Sequence, residues 1–225
     1  VEFKSFKLSS AAGPLPGKYG NATWTSLCDL FSLPESLLAE IRILGGPKMV
    51  EALDSLTSNR DLIENELSPF LMKIRKSPIR RLVAFGDKEL KVRIVAILDY
   101  FSQSALRRLH SYIFRVLSGI TQDVTFDQSS FKIKALEWDY YSSVDLTAAT
   151  DRFPILVEEL VLKGRFPDFY VNAWKQVMIG YPFVFHNKMI SYSVGNPMGA
   201  YSSFASFALA HHYIVYYCCQ ELSIP

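Results

Sequence analysis

The stretch Ser143-Val144-Asp145-Leu146-Thr147-Ala148-Ala149-Thr150-Asp151-Arg152-Phe153-Pro154 decides how the rest of this 225-residue chain is read. It carries two carboxylates six residues apart, separated by a small, neutral run. The residues before and within it, Trp138, Tyr140, Tyr141 and Val144, are aromatic or β-branched and favour a strand. Pro154 suits the first position of a helix and Gly164 its end. The expectation is a strand ending near Asp145, a turn carrying Asp151, and a helix from about Pro154 to Lys163. A strand-end carboxylate beside a turn suits a hard cation such as Mg²⁺, which takes one or two protein carboxylates together with phosphate oxygens. A plainer reading makes Asp151 a helix N-cap and Asp145 a turn residue. Two aspartates alone do not decide between these readings.

Upstream lies a basic run. Lys73, Arg75, Lys76, Arg80, Arg81, Lys88, Lys91 and Arg93 surround Phe85-Gly86, opposed only by Asp87 and Glu89. A charge run can be a solvated face. Here the cations interleave with β-formers in Arg81-Leu82-Val83-Ala84-Phe85 and Lys91-Val92-Arg93-Ile94-Val95, which reads as two strands presenting cations along one surface. Lys91 and Arg93, two apart, point to the same side of a strand and can grip phosphates. From Ala96 to Ser118, Ile97, Phe101, Ala105, Leu109, Ile113 and Val116 recur at helical spacing before Gly119. Its Arg107, Arg108 and Arg115 read as solvated.

Before the basic run, Asn21–Leu33, Glu35–Leu44 and Lys48–Leu71 read as helices, cut by Pro34 and Gly45-Gly46-Pro47. After Gly164, Asp168–Val177 reads as a helix. Phe183–Val194 reads as two strands around Asn187-Lys188. The loop Gly195-Asn196-Pro197-Met198-Gly199-Ala200 feeds a helix from about Ser202 to Gln220, apolar on nearly all sides and expected to be buried in the core. Its serines and adjacent histidines argue against a membrane span. His211 and His212 diverge by about 100° on a helix, so they do not form an i, i+4 metal pair and read as structural.

With 49% hydrophobic residues, the chain can bury a substantial core without disulfide staples. Its net charge of +2 does not by itself imply a nucleic-acid partner. Cys28, Cys218 and Cys219 form no CxxC pair and read as reduced, buried thiols of a non-secretory compartment. No signal-peptide pattern is seen at the N-terminus. A chain that begins at Val1 and stops at Pro225 soon after an apolar helix reads as a piece of a longer protein.

Four segments in order carry a resemblance: Lys91-Val92-Arg93-Ile94-Val95; Gln122-Asp123 with Thr125-Phe126-Asp127-Gln128; Asp145 through Arg152; and Gly195-Asn196-Pro197-Met198-Gly199-Ala200-Tyr201-Ser202-Ser203. Together they resemble the RNA-dependent RNA polymerases of mitoviruses, from about Ser9 to the end. The resemblance implies an α+β right-hand polymerase fold, fingers and partial palm, helix-rich with short antiparallel strands. It implies an N-terminal extension and fingers over 1–72, fingers with the basic strands over 73–136, and partial palm over 137–225. It further implies that Asp145 binds catalytic Mg²⁺ (or Mn²⁺) and that Asp151 senses the ribose. Lys91 and Arg93 would hold the incoming nucleoside triphosphate, while Gly199 and Ser203 seat the template–nucleotide pair. RNA template and product strand would be the partners, and the host mitochondrion the location.

Two departures stand out. The general motif at the Gly199 loop often has an Asn eight residues after its glycine; this chain has Phe207. The Gly-Asp-Asp motif of the family is absent, and no adjacent Asp-Asp occurs. The expected activity is RNA-directed RNA polymerisation by a partial chain inactive alone. The alternative is a non-catalytic, genome-integrated remnant with at most weak RNA binding. Reverse transcription is disfavoured because the residues before Asp151 are small where a bulky gate would stand. A Mg²⁺ phosphohydrolase is disfavoured because no Asp-x-Asp or His-Asp pair is present.

Overall fold

Proline and glycine cut the first third of the chain into helices. The computed structural model describes residues 1–7, 22–66, 78–86, 92–131, 140 and 142–223. Helix α1 spans Ala22–Ser32, α2 Glu35–Gly45 and α3 Pro47–Ser58. The Pro34 carbonyl accepts from the Leu37 and Leu38 amides, both at 3.0 Å. Gly46, at φ 74°, breaks α2 from α3, a conformation that costs glycine little. The helix expected over Lys48–Leu71 is interrupted at Asn59 and resumes over 60–66; residues 67–71 lie outside the described residues. Helix α2 buries Leu37, Leu38, Ile41 and Leu44 at i, i+3, i+4 spacing.

The basic region does form a hairpin. Strand β1 (Arg81–Gly86) pairs antiparallel with β2 (Val92–Ile97), Arg81 opposite Ile97 and Gly86 opposite Val92. Strands β3 (Phe183–Phe185) and β4 (Lys188–Ile190) form a second hairpin around His186 and Asn187. Both turn residues have positive φ, 46° and 62°, as a two-residue hairpin turn that follows strand twist requires. The sheet order is β2-β1-β3-β4, and β1 pairs with β3 in parallel. The α+β class stands as expected, but the sheet is mixed rather than purely antiparallel.

Helix α4 runs Tyr100–Leu117, four residues shorter at its start than the periodicity suggests. Ile97 ends β2, and Asp99 caps the helix, its Oδ1 accepting from the Ser102 amide at 2.7 Å. The aspartate region contains a single turn, α5 (Ala149–Arg152), then α6 (Ile155–Lys163) with Pro154 just before it. Helices α7 (Asp168–Ile179) and α8 (Ser203–Glu221) follow. One buried cluster runs from Phe3 through α2, α4, α6 and α7 to Ala208 of α8, with Trp174 and Phe183 at 0% exposure inside it.

Further expectations need correction, the cysteines among them: Cys28 is buried, but Cys219 is only half-buried and Cys218 is exposed, because both sit on the outer end of α8. Helix α8 is a core helix only in its first half, where Ala205, Ser206, Ala208 and Ala210 are buried; Tyr213, Val215, Tyr216 and Tyr217 are exposed. Its mean apolarity hides this, because small residues pack inward early and aromatics face out late. Arg80 does not belong to the cationic surface. It is 1% exposed, beside the equally buried Asp99 at 3.8 Å, and Nη2 donates to Ser102 Oγ at 3.1 Å. Its guanidinium lies over the rings of Tyr181 and Phe183. Burial pulls its pKa down, with Asp99 opposing that shift. Among the described residues, no helix is long and apolar enough to cross a membrane.

Candidate active site

The loop from Gly195 to Ser203 is fastened on two sides. On one, Asn196 N donates to Thr150 O at 2.8 Å, and Ile155 N donates to Val194 O at 2.9 Å. A Cβ at Gly195 would stand 2.2 Å from Thr150 O and 2.3 Å from the Asp151 carbonyl, so any side chain would push the loop off the aspartate turn. On the other side, Ala96 N of β2 donates to Met198 O at 2.7 Å. Gly199 adopts φ 109°, and a Cβ there would meet Ala96 O at 2.5 Å. Gln103 of α4 adds a bridge, donating from Nε2 to Gly199 O at 3.0 Å and accepting from Tyr201 N at 2.8 Å. Three segments distant in sequence thus meet through their backbones: the strand carrying Arg93, the turn carrying Asp151, and the glycine loop.

Beneath the loop lies a buried polar network that the sequence reading passed over. Asn196 Nδ2 donates to both Glu158 oxygens, at 2.7 and 2.9 Å. Ser203 Oγ donates to Asn196 Oδ1 at 2.5 Å. Ser206 Oγ lies 2.5 Å from Glu158 Oε2 and 2.7 Å from Ser202 O. All four side chains are buried. Burial pushes the Glu158 carboxyl up to about 8, with the bonds from Ser206 and Asn196 opposing it. Ser206 has one proton for two acceptors; a neutral Glu158 resolves this by donating from Oε2 to Ser206 Oγ. The visible signal was an apolar helix carrying adjacent glutamates: Glu159 turns to Lys163 and Lys175, at 2.9 and 2.8 Å, while Glu158 turns inward.

Ser202, in the left-handed region at φ 72°, is likewise fixed. Its Oγ accepts from Trp174 Nε1 at 2.9 Å, and its amide donates to His110 Nδ1 at 3.3 Å. An accepting Nδ1 requires a neutral ring, and burial, then the charge of Arg107, hold the His110 pKa below its ordinary value.

The two aspartates have different surroundings. Asp151 is half-buried and accepts a bond from Tyr192; burial raises its carboxyl above the ordinary range, against that bond. Asp145 is exposed in an irregular segment. The strand expected before it is not formed over 142–145, because no described strand lies alongside to complete a ladder; Trp138 and Tyr141 lie outside the described residues. Asp145 lines a groove of about 680 Å³, with Phe204, Phe207, His211 and the Asp123–His212 pair. His212 Nε2 and Asp123 Oδ2 are 2.9 Å apart and tie the 122–128 loop to α8. Burial works to raise the Asp123 pKa, but bonds from Thr125 and His212 outweigh it and hold it below the usual range. Phe207, where the general motif has Asn, packs edge-on against Phe153 at 5.2 Å between centroids.

Of the other expected site residues, Arg93 is exposed on β2, Gly199 is wedged against that strand, and Ser203 is buried with its hydroxyl bonded to Asn196. Lys91 lies outside the described residues. The exposed oxygen donor of Asp145 suits a hard divalent cation, but as one ligand. Among the described residues, no group of three or more His, Cys, Asp or Glu side chains comes together.

The family described as Mitovirus RNA-dependent RNA polymerase matches residues 1–224. The chain belongs to that family. An RNA-directed RNA polymerase of Cryphonectria parasitica mitovirus 1 is 40% identical over 141 residues, which are 60% of this chain and 17% of that protein. An uncharacterized mitochondrial protein of Arabidopsis thaliana, AtMg01410, is 30% identical over 111 residues, 46% of this chain and 54% of that protein. The chain thus spans about a sixth and about half of these relatives. No solved structure matches.

Proposed function

We propose that this chain supplies fingers and part of the palm for RNA-directed RNA synthesis in a mitochondrion, joining nucleoside triphosphates along an RNA template. The observation that carries the reading is the backbone fastening of the Gly199 loop to both β2 and the Asp151 turn. Nucleotide transfer depends chiefly on positioning and charge neutralisation, and a loop pinned at both ends supplies positioning. The proposed division is 1–72 as extension and fingers, 73–136 as fingers with basic strands, and 137–225 as partial palm.

In this reading Arg93, with Lys91, draws the triphosphate to the β2 end of the site. Asp151, held by Tyr192, accepts a bond from the ribose 2′-hydroxyl, and a site built to bond that hydroxyl rejects the analogue lacking it. The Gly199 backbone approaches the template–nucleotide pair, and Ser203 acts from beneath, by fixing Asn196. Asp145 would hold Mg²⁺ (or Mn²⁺), which when bound neutralises phosphate charge and lowers the pKa of the attacking hydroxyl. One carboxylate and no Gly-Asp-Asp are too few for turnover, so the 225-residue chain alone is expected not to extend a primed template.

The test is photolabelling of the chain by an azido-nucleoside triphosphate. Labelling that requires the divalent cation and is lost in Asp145→Asn supports the proposal. Labelling indifferent to both, or none, overturns it in favour of a remnant that no longer binds nucleotide. The Arabidopsis relative, named as mitochondrial, keeps that second reading in view.

A further inference from the structure

A basic cleft is lined by none of the expected site residues, and nothing in the sequence groups its parts. The first seven residues are docked by aromatic packing. Phe3 is buried, Phe6 packs on Phe3 at 4.8 Å and on Phe101 at 5.5 Å, and the Tyr100 hydroxyl donates to Lys7 O at 2.6 Å. Phe3 N also donates to Gly45 O at 2.9 Å. With Phe3 and Phe6 held against the core, Lys4 and Lys7 are left exposed.

They face the outer side of α4. Lys4, Lys7, Arg107 and Arg108 line a cavity of about 290 Å³, and Lys7 and Arg107 continue into a second of about 260 Å³ that reaches Gln103 and Tyr201. Among the described residues, no carboxylate lines either cavity. Among the described residues, none of the four cations is in an ion pair, although the chain carries 22 acidic side chains against 24 basic ones. Four unneutralised cations around one cleft repel one another, and a bound polyanion relieves that.

The cleft has a direction. Its inner end is Tyr201, whose amide bonds Gln103 while the same glutamine bonds the Gly199 carbonyl. Tyr201 is 38% exposed and packs edge-on against His110, leaving ring surface for a base. Three residues on, Phe204 begins the lining of the Asp145 groove.

We infer that Lys4, Lys7, Arg107 and Arg108 form a track for the sugar–phosphate backbone of a single-stranded RNA, which Tyr201 receives beside the Gly199 loop. The choice of RNA as occupant rests on the polymerase reading; the polyanion site itself rests on the cleft.

The test is fluorescence anisotropy of a short labelled oligouridylate with the full 225-residue chain, titrated with salt. Each single-strand phosphate contact contributes about 0.7 to the slope of log affinity against log salt. The double variants Arg107→Gln/Arg108→Gln and Lys4→Gln/Lys7→Gln should each flatten that slope by about 1.4 and weaken binding on the order of tenfold at low salt. Their far-ultraviolet circular dichroism should be unchanged. Unaltered slopes, or no RNA binding by the parent chain, overturn the inference. So does tripolyphosphate competing as well as RNA at equal phosphate concentration, which would mark a site for a small free polyanion. Azido-nucleotide labelling of the same variants should persist. RNA binding that ignores the four cations while labelling survives defeats the track alone; lost labelling in the parent chain defeats the polymerase reading alone.

Discussion

The Asp145 segment and the Gly195–Ser203 loop are built in opposite ways. Asp145 is exposed, in an irregular segment with no described strand beside it. The loop is clamped to two other segments and rests on a buried network of Glu158, Asn196, Ser203 and Ser206. On the proposed reading, a carboxylate that takes a cation and phosphates gains nothing from protein partners that would have to be displaced, whereas a loop that holds a nucleotide pair in register gains from every contact that fixes it. So substitutions in the loop should read out in stability, and those at Asp145 in ligand binding.

The largest effect should come from Gly195→Ala. Its Cβ would overlap backbone that cannot move independently of α5, and the cost should be about 3 kcal/mol or more in urea unfolding. A tolerated alanine would show that the loop and the aspartate turn are not held together.

Asn196→Ala should cost about 2–3 kcal/mol, because it leaves both Glu158 oxygens buried without their amide donor. The loss should be greater at pH 8 than at pH 5, where a neutral Glu158 tolerates the gap better.

The parent protein should itself lose stability as pH rises. Glu158 binds its proton more tightly folded, at about 8, than unfolded, near 4.5. Its contribution is therefore complete below about 4.5 and is lost progressively up to about 8, amounting to a few kcal/mol. The raised Asp151 acts in the same direction, whereas Asp123 and Glu159, held low, weaken the fold only as pH falls into the acid range. Glu158→Gln should flatten the slope between pH 5 and 8; an unchanged slope would assign the titration to another group.

Smallest in stability should be Asp145→Asn, within about 0.5 kcal/mol, since an exposed side chain outside any network is removed. The same variant should abolish cation-dependent nucleotide labelling. A large stability change there would erase the contrast between the two regions.

Much of this architecture was legible beforehand. Pro34 and Gly45-Gly46-Pro47 marked the helix breaks, the β-formers among the cations marked β1 and β2, and Asn187 marked the β3–β4 turn. These signals are local, since backbone conformation there is limited by the residue itself. The start of α4 was misplaced because hydrophobic period runs on through Ile97, while the end of the strand is decided by Asp99 and by pairing with β1. Arg80 looked like its basic neighbours, and only the arrival of Asp99, Tyr181 and Phe183 turned it into a core residue.

The sequence by itself determined the family, the helix-rich α+β class and the order of the polymerase-like segments, because motif identity and local breaks are written in consecutive residues. Only the tertiary structure decided that Glu158 faces inward while Glu159 faces its lysines, that Asn196 and Ser203 lie in one buried network, and that Lys4 and Lys7 share a cleft with Arg107 and Arg108. Each of these depends on which side chains are brought together across 4 to about 100 residues of chain. Burial and charge then change what each group does, and neither is a property of a residue in isolation.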